Sequence, residues 1–463
     1  MCIRDRSDLN NAQASSLCAV DMTDWHNQGS NNVHDVAIAC ATGVEYLRLL
    51  CDLGLTLADA NRQIIFHLSV DTDFFNNIAK LRALRATWHH VLAQCSPNND
   101  TSSLLPHLPP NLLPRVHAHT SLRMLSTLDA DNNQLRNTIA CAAAILGGAD
   151  CISVEAHRPN DAIQPFPALA PSADTRRIAR NIQHVLKHES QLHRIQDPLG
   201  GSFFIENLTS EMAASAWTLF QDIESKGGMT VNLNNGMLSD LIETNRLQRA
   251  DQLAVRKRIQ VGVSEFVAPD ASVKTGKQSQ AENQSQKEVT EIRRDAEVFE
   301  TLRQRTLETC PTISIDAPET TQRQQCLLLC FGSSTMYRAR ATFARNLLAV
   351  AGLDSTDHVL ALKSDAPAST IEQLDMSAIP KPKGSVVVLC ADNDSYASIA
   401  NPLAKQLKVA GASLVILAGK NSDIVGLEEP VNWDLNLFMG CNVMTLAEDI
   451  LQAAKMQAGQ TNG

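Results

Sequence analysis

The chain has 463 residues, 44% of them hydrophobic and 19% charged, with 21 Gly, 18 Pro and a formal net charge of −10. This profile excludes a collagenous, coiled-coil or wholly disordered chain, and at about 150 residues per domain the length predicts two or three domains. No Lys/Arg block supplies the basic face that nucleic acid requires, no apolar run reaches the roughly 18 to 20 residues that span a bilayer, and Met1 to Arg6 lacks a signal-peptide core. The expectation is a soluble, cytoplasmic protein with neither nucleic acid nor membrane as a partner.

The 12 Cys include no Cys-x-x-Cys spacing, and Cys40, Cys141, Cys330 and Cys390 sit inside apolar runs, so they read as buried reduced thiols rather than disulfides or metal ligands. Aromatic residues are only 4%, so the core must be built from Leu, Ile, Val and Ala, which fits α/β packing.

From residue 17 the chain alternates short apolar runs with longer helical periods, the pattern of βα units. Leu17 to Met22 reads as a strand, and Asn31 to Leu53 as a helix with Val33, Val36, Ala37, Cys40, Val44, Leu47 and Cys51 on one face and Gly54 as its stop. Ile64 to Val70 is a strand and Phe74 to Gln94 a helix. Residues 95–114 hold five Pro and make a loop leading into a strand at Arg115 to Thr120. Asn132 to Leu146 is helical, Asp150 to Glu155 a strand and Ala173 to Ser190 a helix; Asp197 to Ser202 makes a tight turn before a helix at Thr209 to Lys226. Arg256 to Val263 reads as a fifth strand, short of the eight that close a (β/α)8 barrel.

Residues 268–290 are polar with almost no large aliphatic side chain and read as a mobile linker. Glu291 to Glu308 is expected to be a charged helix with Ile292, Phe299 and Leu302 on its sparse apolar side. Beyond it, strands at Cys326 to Phe331, His358 to Leu362, Ser385 to Cys390 and Ser413 to Ala418 alternate with helices at Met336 to Val350, Tyr396 to Ala410 and Thr445 to Lys455. Their near-continuous apolar strands predict a sheet buried on both faces, as in a flavodoxin-like doubly wound domain.

Three constellations could carry chemistry. His117 and His119 are two apart on a strand and leave the same face, which suits either a pair of divalent-metal ligands, with a metal-dependent hydrolase as the associated function, or plain hydrogen-bonded strand histidines. His26 follows the first strand, where parallel α/β folds place reactive groups; it reads as a general acid/base or as a polar residue at the start of a helix. Gly332-Ser333-Ser334-Thr335 follows a buried strand and opens a helix, so it could hold an anion on backbone N–H groups or simply turn the chain.

Seven ordered blocks carry a more specific signal. They are Trp25-His26-Asn27-Gln28-Gly29, Gly43 to Arg48, Ile78 to Trp88, His117-Ala118-His119-Thr120-Ser121, Asp129 to Arg136, Arg177 to Asn181 and Asp197 to Ser202. Together they resemble the methylmalonyl-CoA mutase family of cobalamin-dependent acyl-CoA mutases, strongly over residues 18–263 and more weakly over 320–457. The resemblance implies a (β/α)8 TIM barrel that binds an acyl-CoA along its axis, followed by a flavodoxin-like cobalamin-binding-type domain. The implied reaction interconverts succinyl-CoA and (R)-methylmalonyl-CoA by a radical rearrangement begun by adenosylcobalamin.

Against the family pattern, His26 is retained but Trp25 replaces a pocket Tyr. His119 stands where catalytic members have Gln, Glu155 replaces an Asn on the cofactor side, and Gln63-Ile64-Ile65 replaces an Arg-x-Ser contact to CoA. The loop Gly332, Ser333, Ser334 lacks the cobalt-ligating His, so a metal site is not expected there. These departures resemble the small-subunit branch of the two-chain enzymes. They imply a chain that binds no cobalamin itself and forms a heterodimer with a catalytic large subunit that does. An independently active mutase is the alternative. The expected layout is an unmatched leader at 1–16, a barrel at 17–266 incomplete on its N-terminal side, a linker at 267–290, a connecting helix at 291–321 and a degenerate flavodoxin-like domain at 322–463.

Overall fold

The computed structural model describes residues 18–95, 113–158, 172–267, 293–309, 325–360, 379, 385–427 and 429–460. The leader at 1–16 and residues 268–290 of the expected linker lie outside the described residues. The chain divides into two compact α/β units, one formed by residues 1–249 and 274–295 and the other by 250–273 and 296–463.

The first unit holds a parallel sheet in the order β1 (Cys18–Asp21), β2 (Ile64–Val70), β3 (Arg115–Thr120) and β4 (Cys151–Ser153). Helices α1 (Thr23–Gln28), α2 (Asn32–Asp52), α3 (Leu57–Arg62) and α4 (Phe74–Cys95) lie between the first three strands in sequence, and Asn132–Leu146 between β3 and β4. Side chains alternate faces along each strand. Val20, Phe66, Leu68, Val116, Ala118 and Ile152 are buried in the same core as α2 and α4. Ile65, His67, Arg115, His117, His119 and Ser153 occupy the other face and are only partly buried.

Local chemistry explains these helices. Asn31 caps α2 by accepting the His34 N–H at 2.9 Å, and Gly54 ends the helix region at φ +93° as expected. Gly43 lets α2 approach α4, because a Cβ there would lie 2.7 Å from the Trp88 ring. Trp88 is fully buried, edge-on to Phe66 at 4.9 Å, and donates to Asn61 Oδ1 at 2.8 Å. Arg82 on α4 holds the Asp197–Ser202 turn through Asp197 at 2.6 Å and Glu206 at 2.7 Å. The helix after that turn is Phe203–Ser225, one and a half turns longer at its start than its sequence pattern implied.

Arg256 to Val263 is not a fifth strand. Gly262 adopts φ +78° and the Val263 and Ser264 N–H groups return to the Gln260 carbonyl, so the alternation of Ile259, Val261 and Val263 is spent on a turn. The helices Gly228–Asn234 and Met237–Ala254, with α1 and α3, add to the expected set.

The second unit has a parallel sheet in the order β6 (Asp354–Val359), β5 (Gln325–Cys330), β7 (Val386–Cys390), β8 (Leu414–Leu417) and β9 (Leu435–Asn436). Every residue of β7 is buried, as a sheet covered on both faces requires. The helix expected from Glu291 begins at Glu297 and runs to Thr309; it buries Phe299 and Leu302 of the side chains expected on its apolar side, and Ile292 lies outside the described residues. The strand read at His358 to Leu362 begins instead at Asp354, and His358 is its fifth residue. As an edge strand β6 has no fully buried residue, and its sequence Asp-Ser-Thr-Asp-His-Val carries little of the apolar signal that marks strands. No helix among the described residues is long and apolar enough to cross a membrane. The described cysteines are free thiols, and burial pushes the Cys141 thiol up to about 12.

Candidate functional site

In parallel α/β sheets the C-terminal ends of the strands collect reactive groups. At that edge of the first sheet His26 follows β1, Asp71 follows β2, Arg123 follows β3 and Glu155 follows β4. The first three join a buried ionic network. His26 Nδ1 lies 3.1 Å from Asp35 Oδ2 on α2, and Lys80 Nζ on α4 donates to the same oxygen at 3.1 Å. Ser30 Oγ donates to the other Asp35 oxygen, and Lys80 also donates to the Ser69 carbonyl. Arg123 donates to the carbonyls of His26 at 2.7 Å and Ser30 at 2.8 Å, and its guanidinium is 3.4 Å from Asp71. Arg249 pairs with both Asp295 oxygens, at 2.8 and 2.5 Å, and stands 3.9 Å from Asp71.

Three carboxylates thus face three cations inside the fold. Burial, and then the Arg123 charge, push the His26 imidazole down to about 4, so it is neutral at ordinary pH. Burial would raise the Asp35 carboxyl, but Lys80 and the hydrogen bonds from His26 and Ser30 hold it well below the carboxylate range. For Asp71, burial is likewise overcome by His26, Arg123 and Arg249. An ionised carboxylate only accepts, so His26 carries its proton on Nδ1 and leaves Nε2 as an acceptor. Nε2 is buried without a hydrogen-bond partner among the described residues, as are Asn27 Oδ1 and Arg123 Nε beside it in the network. The ring is fully buried, so this geometry fixes the short helix α1, which follows β1, against α2 and α4.

The other sequence-derived positions are spread over the sheet. Trp25, on α1, packs partly buried against the core. Gln63 closes α3 and Ile65 is the second residue of β2, both at the N-terminal end of the strands and thus opposite His26. His119 lies near the C-terminal end of β3 on the partly buried face, and burial raises the Glu155 carboxyl beyond β4.

That face gathers three imidazoles. His67 on β2 is in register with His117 on β3, and Ser69 with His119. Ring centroids are 4.1 Å apart for His117 and His119, 4.9 Å for His67 and His117, and 5.2 Å for His67 and His119. His117 Nε2 is 2.9 Å from Ser153 Oγ on β4. Burial, followed by the neighbouring His119 and His67, pushes His117 down to about 4.

In the second unit the strand order reverses between β5 and β7, the crevice where such sheets bind ligands. Here the protein's own groups fill it. Asp392 accepts the Ser333 N–H at 2.7 Å, so the anion at this helix start is an internal carboxylate. A Cβ on Gly332, which adopts φ +77°, would lie 2.2 Å from Asp392 and 2.4 Å from Ser395 Oγ. Tyr396 Oη donates toward the Leu389 carbonyl at 2.8 Å, and Arg340 stacks on its ring at 4.7 Å. Gly332, Ser333 and Ser334 offer hydroxyl and backbone groups only. His358 sits on β6, on the far side of β5 from β7. This donor set does not fit a lower-axial histidine to cobalt.

Sequence reasoning missed Asp35, Lys80, Asp71, Arg123, Arg249, Asp295 and His67. Two had a usable signal: Asp35 and Lys80 fall among the apolar residues of helices, where an unpaired charge would be prohibitive.

A family model described as methylmalonyl-CoA mutase matches residues 10–313. A methylmalonyl-CoA mutase small subunit from Streptomyces virginiae is 33% identical over 434 residues, covering 93% of this chain and 63% of that protein. The small subunit from Propionibacterium freudenreichii subsp. shermanii is 31% identical over 452 residues, covering 95% and 64%. A methylmalonyl-CoA mutase from Cereibacter sphaeroides is 30% identical over 266 residues, or 57% of this chain and 35% of that protein. The chain therefore spans somewhat under two thirds of the length of its small-subunit relatives. With a family match across most of its length, and an α/β architecture of two parallel sheets, the chain belongs to the methylmalonyl-CoA mutase family.

Proposed function

We propose that this chain acts as a small subunit of a methylmalonyl-CoA mutase, in the cytoplasm, paired with a catalytic large subunit. The reaction supported is the interconversion of succinyl-CoA and (R)-methylmalonyl-CoA, with adenosylcobalamin held by the partner. In this reading the first unit is part of a (β/α)8 barrel, whose inner side is the face carrying Ile65, His67, His117 and His119. The second is a degenerate flavodoxin-like domain, a reading supported by its order β6-β5-β7-β8-β9.

The observation that carries the proposal is the loop after β5. It supplies no imidazole, and Asp392, Ser395 and Gly332 close the space at the switch point. The site at the first sheet agrees with it. His26 keeps the family's residue type, yet its ring is committed to Asp35 and sealed among Lys80, Asp71 and Arg123, which supports a role in holding α1 in place and not in proton transfer. Likeness to small subunits over nine tenths of the chain points the same way.

The test is co-expression with the large subunit of a two-chain mutase. The proposal expects the two to co-purify, and isomerase activity to depend on both. Failure to form a complex, with activity indifferent to this chain, overturns it.

A further inference from the structure

We propose that His67, His117 and His119 form a site for one divalent transition-metal ion of the zinc type, with a fourth coordination position left open. The proposal rests on the first sheet alone and does not depend on the mutase reading.

The placement follows from strand geometry. Residues two apart on a strand leave the same face, which sets His119 beside His117. The parallel register then puts His67 directly opposite His117 on the neighbouring strand. One ring nitrogen from each of the three can be chosen so that all lie within 4.8 Å of one another, and no other group of three His, Cys, Asp or Glu among the described residues does so. Zinc–nitrogen bonds of 2.0–2.1 Å in a tetrahedral site separate two ligating nitrogens by about 3.4 Å. Ring rotation about the side-chain torsions is the movement that metal binding would require to close that difference. Paired strands also hold side-chain positions better than loops do.

The surroundings suit a cation. His119 Nε2 is buried and has no hydrogen-bond partner among the described residues. Asp21, at the end of β1, has one carboxylate oxygen held by the Thr23 N–H at 2.8 Å and its hydroxyl at 2.6 Å. Its other oxygen stands 3.9 Å from His67 Nδ1, where it places negative charge beside the imidazoles. The donor set selects the metal class. Three imidazoles favour zinc, cobalt, nickel or copper over magnesium or calcium, which take oxygen ligands. Three protein ligands leave the fourth position to water or to a substrate atom, as in catalytic and not structural zinc sites.

The experiment titrates the full chain, stripped of metal by chelator, with zinc chloride, reading both bound metal and the thermal unfolding midpoint. One equivalent of zinc is expected to bind and to raise the midpoint, since a ligand that binds only the folded state stabilises it. His67→Gln and His119→Gln, on different strands, should each weaken binding by at least about a hundredfold, because loss of an outer-shell partner alone costs 10- to 100-fold. Asp21→Asn should weaken it by roughly tenfold on the same ground. His188→Ala is the control: His184 and His188 lie on one helix with ring centroids 5.9 Å apart and could take a metal by themselves. Absence of zinc binding in the unsubstituted chain overturns the proposal whatever the variants do. So does binding that survives both His67→Gln and His119→Gln, or that is lost in His188→Ala.

Discussion

Asp35 is a fully buried carboxylate whose charge is met by Lys80 Nζ, also fully buried, at 3.1 Å. Such a pair adds little net stability when intact, but removing one partner strands the other. Lys80→Met is therefore expected to destabilise the first unit by about 3–5 kcal/mol, and Asp35→Asn combined with Lys80→Met to recover much of that loss. Denaturant unfolding followed by fluorescence from the buried Trp88 checks both; additive losses in the double variant would contradict the pairing. His26 makes a pH prediction. Its folded value near 4 lies below the ordinary 6.5, so the unfolded chain takes up the proton first as pH falls. Stability is then full above about pH 6.5 and declines toward pH 4, by on the order of 3 kcal/mol for this group. In His26→Gln the fall in melting midpoint across that window should be distinctly shallower; an unchanged slope would remove His26 as its source. Little of this network was legible beforehand, because its bonds join residues far apart in the chain, such as Lys80 to Asp35 and Arg123 to His26. Only the tertiary fold brings them together.

At the scale of elements, α2 and α4 show why the helices were readable and where that reading stops. Both carry long apolar periods, and both appear within a residue or two of the predicted limits. Their contact depends on Gly43, whose missing side chain makes room for the Trp88 ring. Gly43→Ala should cost about 1–3 kcal/mol by overpacking, despite the better helix propensity of Ala, and Trp88→Leu in the same chain should relieve part of it. A stability gain in Gly43→Ala would show that the helices do not meet as described. The elements that sequence misplaced have physical reasons. β6 is polar because an edge strand pairs on one side only. Arg256 to Val263 alternates like a strand but turns at Gly262. The short helices α1 and α3 span six residues each, too few for a period to register. The family blocks made up for some of this: the Asp197 turn and the Arg82 that grips it both fall within them.

At the scale of the whole molecule, the described residues form two α/β units, each built on a parallel sheet. In the first, His26 beyond β1 is enclosed among ion pairs. The second retains a ligand-binding type of crevice but fills it with Asp392, Tyr396 and Arg340. The first sheet ends in β1 on one side and β4 on the other among the described residues, and each pairs with a single neighbour. Such edges favour association, so co-expression with a large subunit should raise the yield of soluble chain. An unchanged yield, with the chain monomeric and stable alone, would argue against dependence on a partner. The proposed small-subunit role expects that this chain does not ligate cobalt through its own residues. Titrating the full purified chain with adenosylcobalamin, followed by visible absorption, tests it most directly. The expected spectrum at equimolar protein is identical to that of the free cofactor. A stoichiometric shift to the histidine-ligated form would contradict it.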